Sequence, residues 1–357
     1  MIRIDEIYTN TFAPIITKNP DQSLHYFVPF GRTDTESLVS EPLIRDRKKV
    51  FIFWDQEPFN PEIHEDTIET FYTNFVSPFS LDNPTVRAIK AKASCVFVTS
   101  EKDSKHVSEL CESKGFEYAY YFFHGWASLD WYRGYNRTHL IEPYKDRDIT
   151  NTFISPNRTV GGNRYHRIDL FKAMVENNLI ENNKVSFPKY CPYSGEEVKV
   201  QGVELPLVFA SEDPSNIPNE SYKISLWEES KNSLLQVVTE TVYEQETLHL
   251  TEKIFKPIVM QMPFVLVGAR NNLEYLRSYG FKTFNEFWDE SYDDMDNDQR
   301  INAVTKLLTD LNSLSIKEKA HLQKHLVPVV EHNFNWFYSQ EFENLLWKEL
   351  TDMMKQW

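Results

Sequence analysis

The chain has 357 residues, of which 41% are hydrophobic and 14% aromatic. That is enough for two domains of about 150 residues each, and it argues against a disordered chain. The net charge of −15 disfavours DNA or RNA as a partner, but it does not exclude a local basic patch that binds nucleic acid. Three widely spaced cysteines without a Cys-x-x-Cys pair exclude a disulfide framework and a zinc-finger pattern.

The first ten residues, MIRIDEIYTN, lack the basic and then apolar order of a secretory signal. No apolar run approaches the ~18 residues that span a bilayer. We therefore expect a cytoplasmic protein without a membrane span.

The first half of the chain alternates strand-like and helix-like segments. KKVFIFW (48–54) and SCVFVTS (94–100) are short runs rich in β-branched and aromatic residues, which predicts two buried strands. EKDSKHVSELCESKG (101–115) has helical spacing and ends on Gly115, and FEYAYYFFHGW (116–126) predicts a strand and the loop that leaves it. This order predicts a βαβ unit with parallel strands.

The polar, charged stretch 128–151 predicts the connection to a second alternating block. In that block we predict strands at 152–155, 234–239 and 263–268, and helices at 166–179, 251–261 and 271–280.

Two such blocks predict an α/β protein with two facing, doubly wound, Rossmann-like domains, 1–150 and 151–330. The amphipathic, aromatic segment 331–357 predicts a C-terminal helix that packs back across both. Ligands of such sheets bind outside the carboxyl ends of the strands.

A polar loop turns into a helix at Thr251, Glu252 and Lys253. The free N–H groups and the dipole of a helix N-terminus attract anions, and a lysine in the first turn opposes the dipole unless an anionic ligand is present. A diphosphate would be such a ligand, and Glu252 could accept hydrogen bonds from sugar hydroxyls. The alternative is ordinary capping by Thr251.

TEKIFKPIVMQMPFVLVG (251–268) resembles the donor-binding signature of the α1,3/4-fucosyltransferase family, in which Thr-Glu-Lys opens a helix and an apolar strand follows a proline. FISPNRTVGGNRYHRIDLFKAM (153–174) is similar to the strand, asparagine and arginine-bearing helix of the same family. Asn157 stands at the asparagine and Arg167 at the arginine, with Arg164 as the competing arginine.

The resemblance implies that Arg167 and Lys253 contact the diphosphate of a GDP-sugar and that Glu252 holds the ribose. In LLQVVTETVYEQETLHLTEK (234–253), Glu240 matches a glutamate of the family. Thr241 stands where the family has asparagine, and His249 where tyrosine is usual. These departures fall on nucleotide and sugar contacts, so the resemblance does not identify the nucleotide base or the sugar of the donor.

FIFWDQEPFNPEI (51–63) carries Asp55 and Glu57 from a predicted strand into a proline-rich loop. Bacterial members of the family have a Glu-x-Glu segment at a similar place, proposed to supply the catalytic base. Inverting transfer needs one carboxylate to take the acceptor's proton. Glu57 is the first candidate and Asp55 the second. The alternative is that both carboxylates only form the hydrogen bonds of turns and caps.

Two other motifs attract attention. DDMDND (293–298) spaces carboxylates closely but lacks the glycine of an EF-hand loop, so we predict a solvated cap of the following helix rather than a metal site. His124 follows a predicted strand, where packing or loop hydrogen bonding is favoured over a role as base.

The sequence thus predicts an inverting glycosyltransferase that uses a nucleotide sugar, with GDP-fucose favoured, and needs no metal or other cofactor. The first domain would bind a glycan or other hydroxyl acceptor, and the second the donor. One alternative is a viral-type enzyme that glycosylates hydroxymethylated DNA bases, with a basic groove built from KAKASC (90–95) and RYHR (164–167). The other is a non-catalytic nucleotide-sugar-binding protein.

Overall fold

A computed structural model of the protein describes most of the second half of the chain and part of the first. The described residues are 22–26, 49–61, 94–135, 141–162, 164–191, 194–209, 223–244 and 246–356. Much of the predicted N-terminal domain, with most of KAKASC, lies outside these ranges. The chain divides into two compact units, one comprising residues 1–130 and 346–357, the other residues 131–345.

The first unit contains a parallel sheet in the order β1-β2-β3-β4. Its strands are β1 (Gln22–Tyr26), β2 (Lys49–Trp54), β3 (Ser94–Thr99) and β4 (Glu117–Tyr120). Helix α1 (Lys105–Lys114) connects β3 to β4, which confirms the predicted βαβ unit. Ser104 caps the start of α1, and Gly115 ends it in the left-handed conformation (φ 67°) that glycine adopts without a Cβ clash.

The segment after β4 is a helix and not the predicted loop. Helix α2 (Phe123–Tyr132) begins three residues after β4, and residues 121–129 are all buried. A helix that is apolar on every side shows no amphipathic period, so the sequence pattern could not distinguish it from a strand and its loop. His124 therefore lies inside a buried helix, with its ring 5.2 Å from that of Phe123.

The second unit contains a parallel sheet in the order β6-β5-β7-β8. Its strands are β5 (Asn151–Pro156), β6 (Lys184–Ser186), β7 (Ser233–Thr239) and β8 (Phe264–Val267). Its first helices are α3 (Tyr165–Glu176), α4 (Trp227–Ser230), α5 (Glu252–Val259), α6 (Asn272–Ser278) and α7 (Asn297–Asn312).

The strand order places a topological switch point between β5 and β7. From β5 the chain moves to β6 on one side, and then returns to β7 on the other. In open α/β sheets such a reversal opens a crevice at the carboxyl ends of the two strands, where ligands bind. Every residue of β7 and β8 is buried, so both strands are covered on both faces of the sheet. The structure thus confirms an α/β protein with parallel, Rossmann-like sheets.

The C-terminal segment forms two helices instead of one. They are α8 (Ile316–Phe337), which starts with a capping box between Ser315 and Glu318, and α9 (Gln340–Met354). The helical pattern therefore begins before the predicted residue 331 and is interrupted near Tyr338 and Ser339. The residues of α9 are divided between the two units. None of the described helices combines the length and apolar character needed to cross a bilayer.

The acidic tract 293–298 leads into α7 as predicted: Asp296 is the exposed N-cap residue and Asp298 the exposed acidic residue of the first turn, although the Asp296 side chain makes no capping hydrogen bond. Asp293, at the start of the tract, differs from the prediction. Asp293 is buried, and both its carboxylate oxygens accept the N–H of Leu273, while Oδ2 also accepts that of Glu274. It therefore caps α6, which precedes it in the chain. Burial raises the pKa of Asp293 to about 6 against the opposing effect of these hydrogen bonds.

Candidate functional site

The candidate site lies at the carboxyl ends of β5 and β7, at the switch point of the second sheet. Asn157 follows β5 directly, and its Oδ1 accepts a hydrogen bond from the hydroxyl of Thr239, the last residue of β7 (3.1 Å). The Asn157 N–H donates to the carbonyl of Ser186 at the end of β6 (3.1 Å). The predicted residue Asn157 thus holds three strand ends together.

Glu240 connects the end of β7 to the start of α5. Its side chain is fully buried, and its carboxylate accepts hydrogen bonds from the Thr251 N–H (3.2 Å) and the Thr251 hydroxyl (2.6 Å). Burial raises the pKa of Glu240, while the charge of Lys253 and the bonds from Thr251 act in the opposite direction. Glu240 is therefore a positioning residue for the N-terminus of α5.

Lys253 lies in the first turn of α5, which Thr251 caps by accepting the Lys253 N–H (3.3 Å). The Lys253 ammonium lies 3.1 Å from the Thr251 hydroxyl, 3.4 Å from the Thr241 hydroxyl and 3.2 Å from Oε1 of Glu252. The side chain of Lys253 is 31% exposed and that of Glu252 10%. A partly exposed lysine side chain at a helix N-terminus is suited to binding an anion.

Arg167 lies at the same sheet edge as Lys253, but its guanidinium contacts the backbone. Nη1 donates to the carbonyl of Thr159 (2.7 Å), and Nη2 to those of Thr239 (2.8 Å) and Glu240 (2.9 Å). The residue is only 5% exposed. These contacts fasten the loop after β5 to the end of β7, and contact with a diphosphate stays a prediction.

The other residues that the sequence predicts to bind the nucleotide-sugar donor include Arg164, Thr241 and His249. Arg164 is the residue preceding α3 and is half-buried, while Thr241 is buried beside the Lys253 ammonium. His249 is also buried, and its main chain is bridged by the Asn272 amide, which accepts the His249 N–H (3.4 Å) and donates to the His249 carbonyl (3.2 Å).

Three residues that the sequence did not single out for this site form a stack behind it. The ring of His166 lies parallel to that of Tyr243, with centroids 4.6 Å apart, and the Arg300 guanidinium lies 4.7 Å from the Tyr243 centroid. His166 Nε2 donates to the Glu240 carbonyl (3.1 Å), and burial holds the pKa of His166 well below its usual range. Arg300 donates to the carbonyl of Gly268 after β8 (2.6 Å).

Asp55 and Glu57, in the first unit, follow β2 but differ in their surroundings. Asp55 is fully buried, its Oδ2 accepts the Tyr121 hydroxyl, and its carbonyl accepts the Ser100 hydroxyl (2.7 Å). Glu57 is only partly buried. Asp55 therefore stabilises the loop after β2, and Glu57 is the more accessible carboxylate.

Replacing Gly268 by alanine tests how closely the site is packed. A Cβ at Gly268 would lie 2.6 Å from Nδ2 of Asn272 and 3.2 Å from Cβ of Glu240. Such overpacking costs about 1–3 kcal/mol. We therefore expect a lower urea midpoint for Gly268→Ala, measured by circular dichroism, and an unchanged midpoint would contradict the packing described here.

Comparison with protein-family models finds no match for this sequence, and no curated protein matches it. Within the part of the chain that the structure describes, no group of three or more His, Cys, Asp or Glu side chains could hold a metal ion.

Proposed function

We propose that this protein is an inverting glycosyltransferase that transfers a sugar from a nucleotide donor, preferentially a GDP-sugar such as GDP-fucose, to a hydroxyl group of a glycan. The observation that carries the proposal is the position of the Lys253 ammonium. The Lys253 side chain is partly exposed, and it lies at the N-terminus of α5, next to the switch point of a parallel sheet. Both the helix end and the switch point favour a phosphate-containing ligand.

In the proposed reaction, Lys253 and the N-terminal dipole of α5 stabilise the negative charge that develops on the leaving diphosphate. Fixed positive groups of this kind lower the barrier because they need no reorganisation as the charge forms. The proposed transfer is metal-independent, with these groups acting in place of a metal ion. Glu252, whose carboxylate lies 3.2 Å from the ammonium, is the proposed ribose ligand.

The buried residues around Lys253 act as positioning residues in this proposal. Glu240 fixes Thr251, which contacts the Lys253 ammonium, and Arg167 fixes the carbonyl of Glu240. Removal of a proton from the acceptor hydroxyl is assigned to Glu57, with Asp55 as the second candidate. The finer architecture, two facing domains of the two-sheet glycosyltransferase type, belongs to the same proposal.

The substitution Lys253→Ala tests the proposal by direct binding of GDP-, UDP- and ADP-sugars in isothermal titration calorimetry. We expect the best donor to bind about 10- to 100-fold more weakly, because a charge-assisted contact with phosphate is lost, equivalent to about 1.4–2.8 kcal/mol. The fold should persist, since the side chain is partly exposed.

The matched control is Lys306→Ala, which also removes one positive charge, but from a side chain that is 77% exposed on α7 and paired with Asp310. It should leave donor binding unchanged. Equal affinities for Lys253→Ala and the unaltered protein would exclude the assigned site. Release of free nucleoside diphosphate from the bound donor would distinguish an enzyme from a protein that only binds nucleotide sugars.

A further inference from the structure

A pair of histidines on α8 has no role in the proposed transfer. His321 and His325 are both exposed, and their Nε2 atoms lie 3.1 Å apart. Their ring centroids are 4.5 Å apart, with the ring planes inclined at 70°. Residues at i and i+4 of a helix share one face, so the helix itself brings the two imidazoles together.

We propose that His321 and His325 form a binding site for a divalent transition-metal ion on the exposed face of α8. Imidazole nitrogens suit Zn²⁺, Ni²⁺ and Cu²⁺, whereas Mg²⁺ and Ca²⁺ prefer oxygen ligands. The same i, i+4 spacing places two histidines on a zinc ion in helical metalloprotease motifs.

The distance between the two nitrogen atoms agrees with simultaneous coordination. With metal–nitrogen bonds of about 2.0–2.1 Å, a separation of 3.1 Å gives an angle at the metal of about 100°. This angle lies between the octahedral and tetrahedral values. The ion would replace the hydrogen bond that the two rings share, and water molecules would complete the coordination.

The position of the pair in α8 indicates what a bound ion would do. Pro328 lies inside the helix and has no N–H, so the turn that follows His325 lacks one intrahelical hydrogen bond. Between the two histidines, Gln323 faces inward and donates to the carbonyls of Tyr144 (2.5 Å) and Arg147 (2.9 Å). An ion held by both rings would therefore stabilise the turn that carries this anchor, just before the proline.

The test is calorimetric titration of the full-length, tag-free protein with Zn²⁺ and Ni²⁺, with Mg²⁺ as the negative ion. We expect one transition-metal ion per chain and at least about a tenfold loss of affinity in either His321→Ala or His325→Ala, because the remaining imidazole no longer benefits from a tethered second ligand. Alanine is the best helix former, and both sites are exposed, so the variants should fold.

The matched control is His332→Ala on the same helix. The His332 ring lies parallel to Trp336, and its Nε2 is 3.0 Å from the Gly280 carbonyl, so it has a separate packing role. This variant should keep the full Zn²⁺ affinity. As a second measurement, Zn²⁺ should raise the melting temperature of the unaltered protein but not of the double variant His321→Ala/His325→Ala.

The proposal is overturned if the unaltered protein shows no Zn²⁺ or Ni²⁺ binding, or if both single variants bind as tightly as it does. Loss of metal binding in His332→Ala alone would also overturn it, since the ion would then lie elsewhere.

Discussion

Arg167→Ala is expected to lower the free energy of unfolding by about 3–5 kcal/mol. The guanidinium donates hydrogen bonds to the carbonyls of Thr159 and Thr239, and it shares the carbonyl of Glu240 with His166. Arg167 is only 5% exposed, so these bonds are buried. Leaving a buried acceptor without a donor costs about 1–3 kcal/mol. Three carbonyls would lose the Arg167 donor, and that of Glu240 would keep the bond from His166. Urea denaturation followed by circular dichroism measures the difference.

The control for this prediction is Lys172→Ala, also on α3. Its side chain is 49% exposed and pairs only at the surface with Asp169, so the expected change is within about 0.5 kcal/mol. Arg167→Lys should recover only part of the stability, because an ammonium lacks the planar fork that reaches several carbonyls at once.

Donor binding separates two roles for Arg167. If the alanine variant keeps its stability but no longer binds a GDP-sugar, Arg167 is a ligand residue, as the resemblance implies. If it is destabilised, while the folded fraction at low temperature still binds the donor, Arg167 acts through Glu240 and the loop after β5.

Glu240→Ala is the second substitution with a large expected effect, a loss of about 2–4 kcal/mol of unfolding free energy. It removes the acceptor of both the Thr251 N–H and the Thr251 hydroxyl in a fully buried position, and it leaves a cavity. Because Thr251 contacts the Lys253 ammonium, we also expect weaker donor binding. Denaturation curves and calorimetry measure the two effects separately.

Glu240→Gln keeps the shape of the side chain and tests its charge. Burial raises the pKa of Glu240 in the folded state above the ordinary value of a glutamate, so the folded protein binds this proton more tightly than the unfolded chain. The resulting stability is fully present below the unfolded-state pKa and is lost as the pH rises through the folded-state pKa.

The stability of Glu240→Gln relative to the unaltered protein should therefore increase as the pH rises from about 4.5, since glutamine carries no ionisation cost. Unfolding free energies of both proteins between pH 4 and 8 provide this comparison. A difference that decreases over that range would mean that Lys253 and Thr251 outweigh the effect of burial.

The elements of the candidate site could be predicted because their signals are local. The apolar run of β7 and the Thr251 cap of α5 depend on neighbouring residues, and both appear where the pattern places them. Since parallel strands expose their carboxyl ends at one edge, the approach of Asn157 to β7 also follows from the order of the elements.

The partners of buried charged groups could not be predicted in this way. Arg300 lies 57 residues from the Tyr243 carbonyl that it contacts, and Asp293 lies 20 residues from the Leu273 N–H. No pattern in either segment indicates these contacts. They exist because buried polar groups must find partners, and the choice of partner depends on which elements the fold brings together.

By itself, the sequence determined the α/β class, the parallel strands and the cap of α5, because hydrophobic spacing and capping act over a few residues. Only the tertiary structure decided that α2 is a buried helix and that Arg167 binds carbonyl groups. It also placed the carboxylate of Glu240 beneath Thr251. These outcomes depend on burial and on contacts between distant segments, and such contacts exist only after the chain has packed.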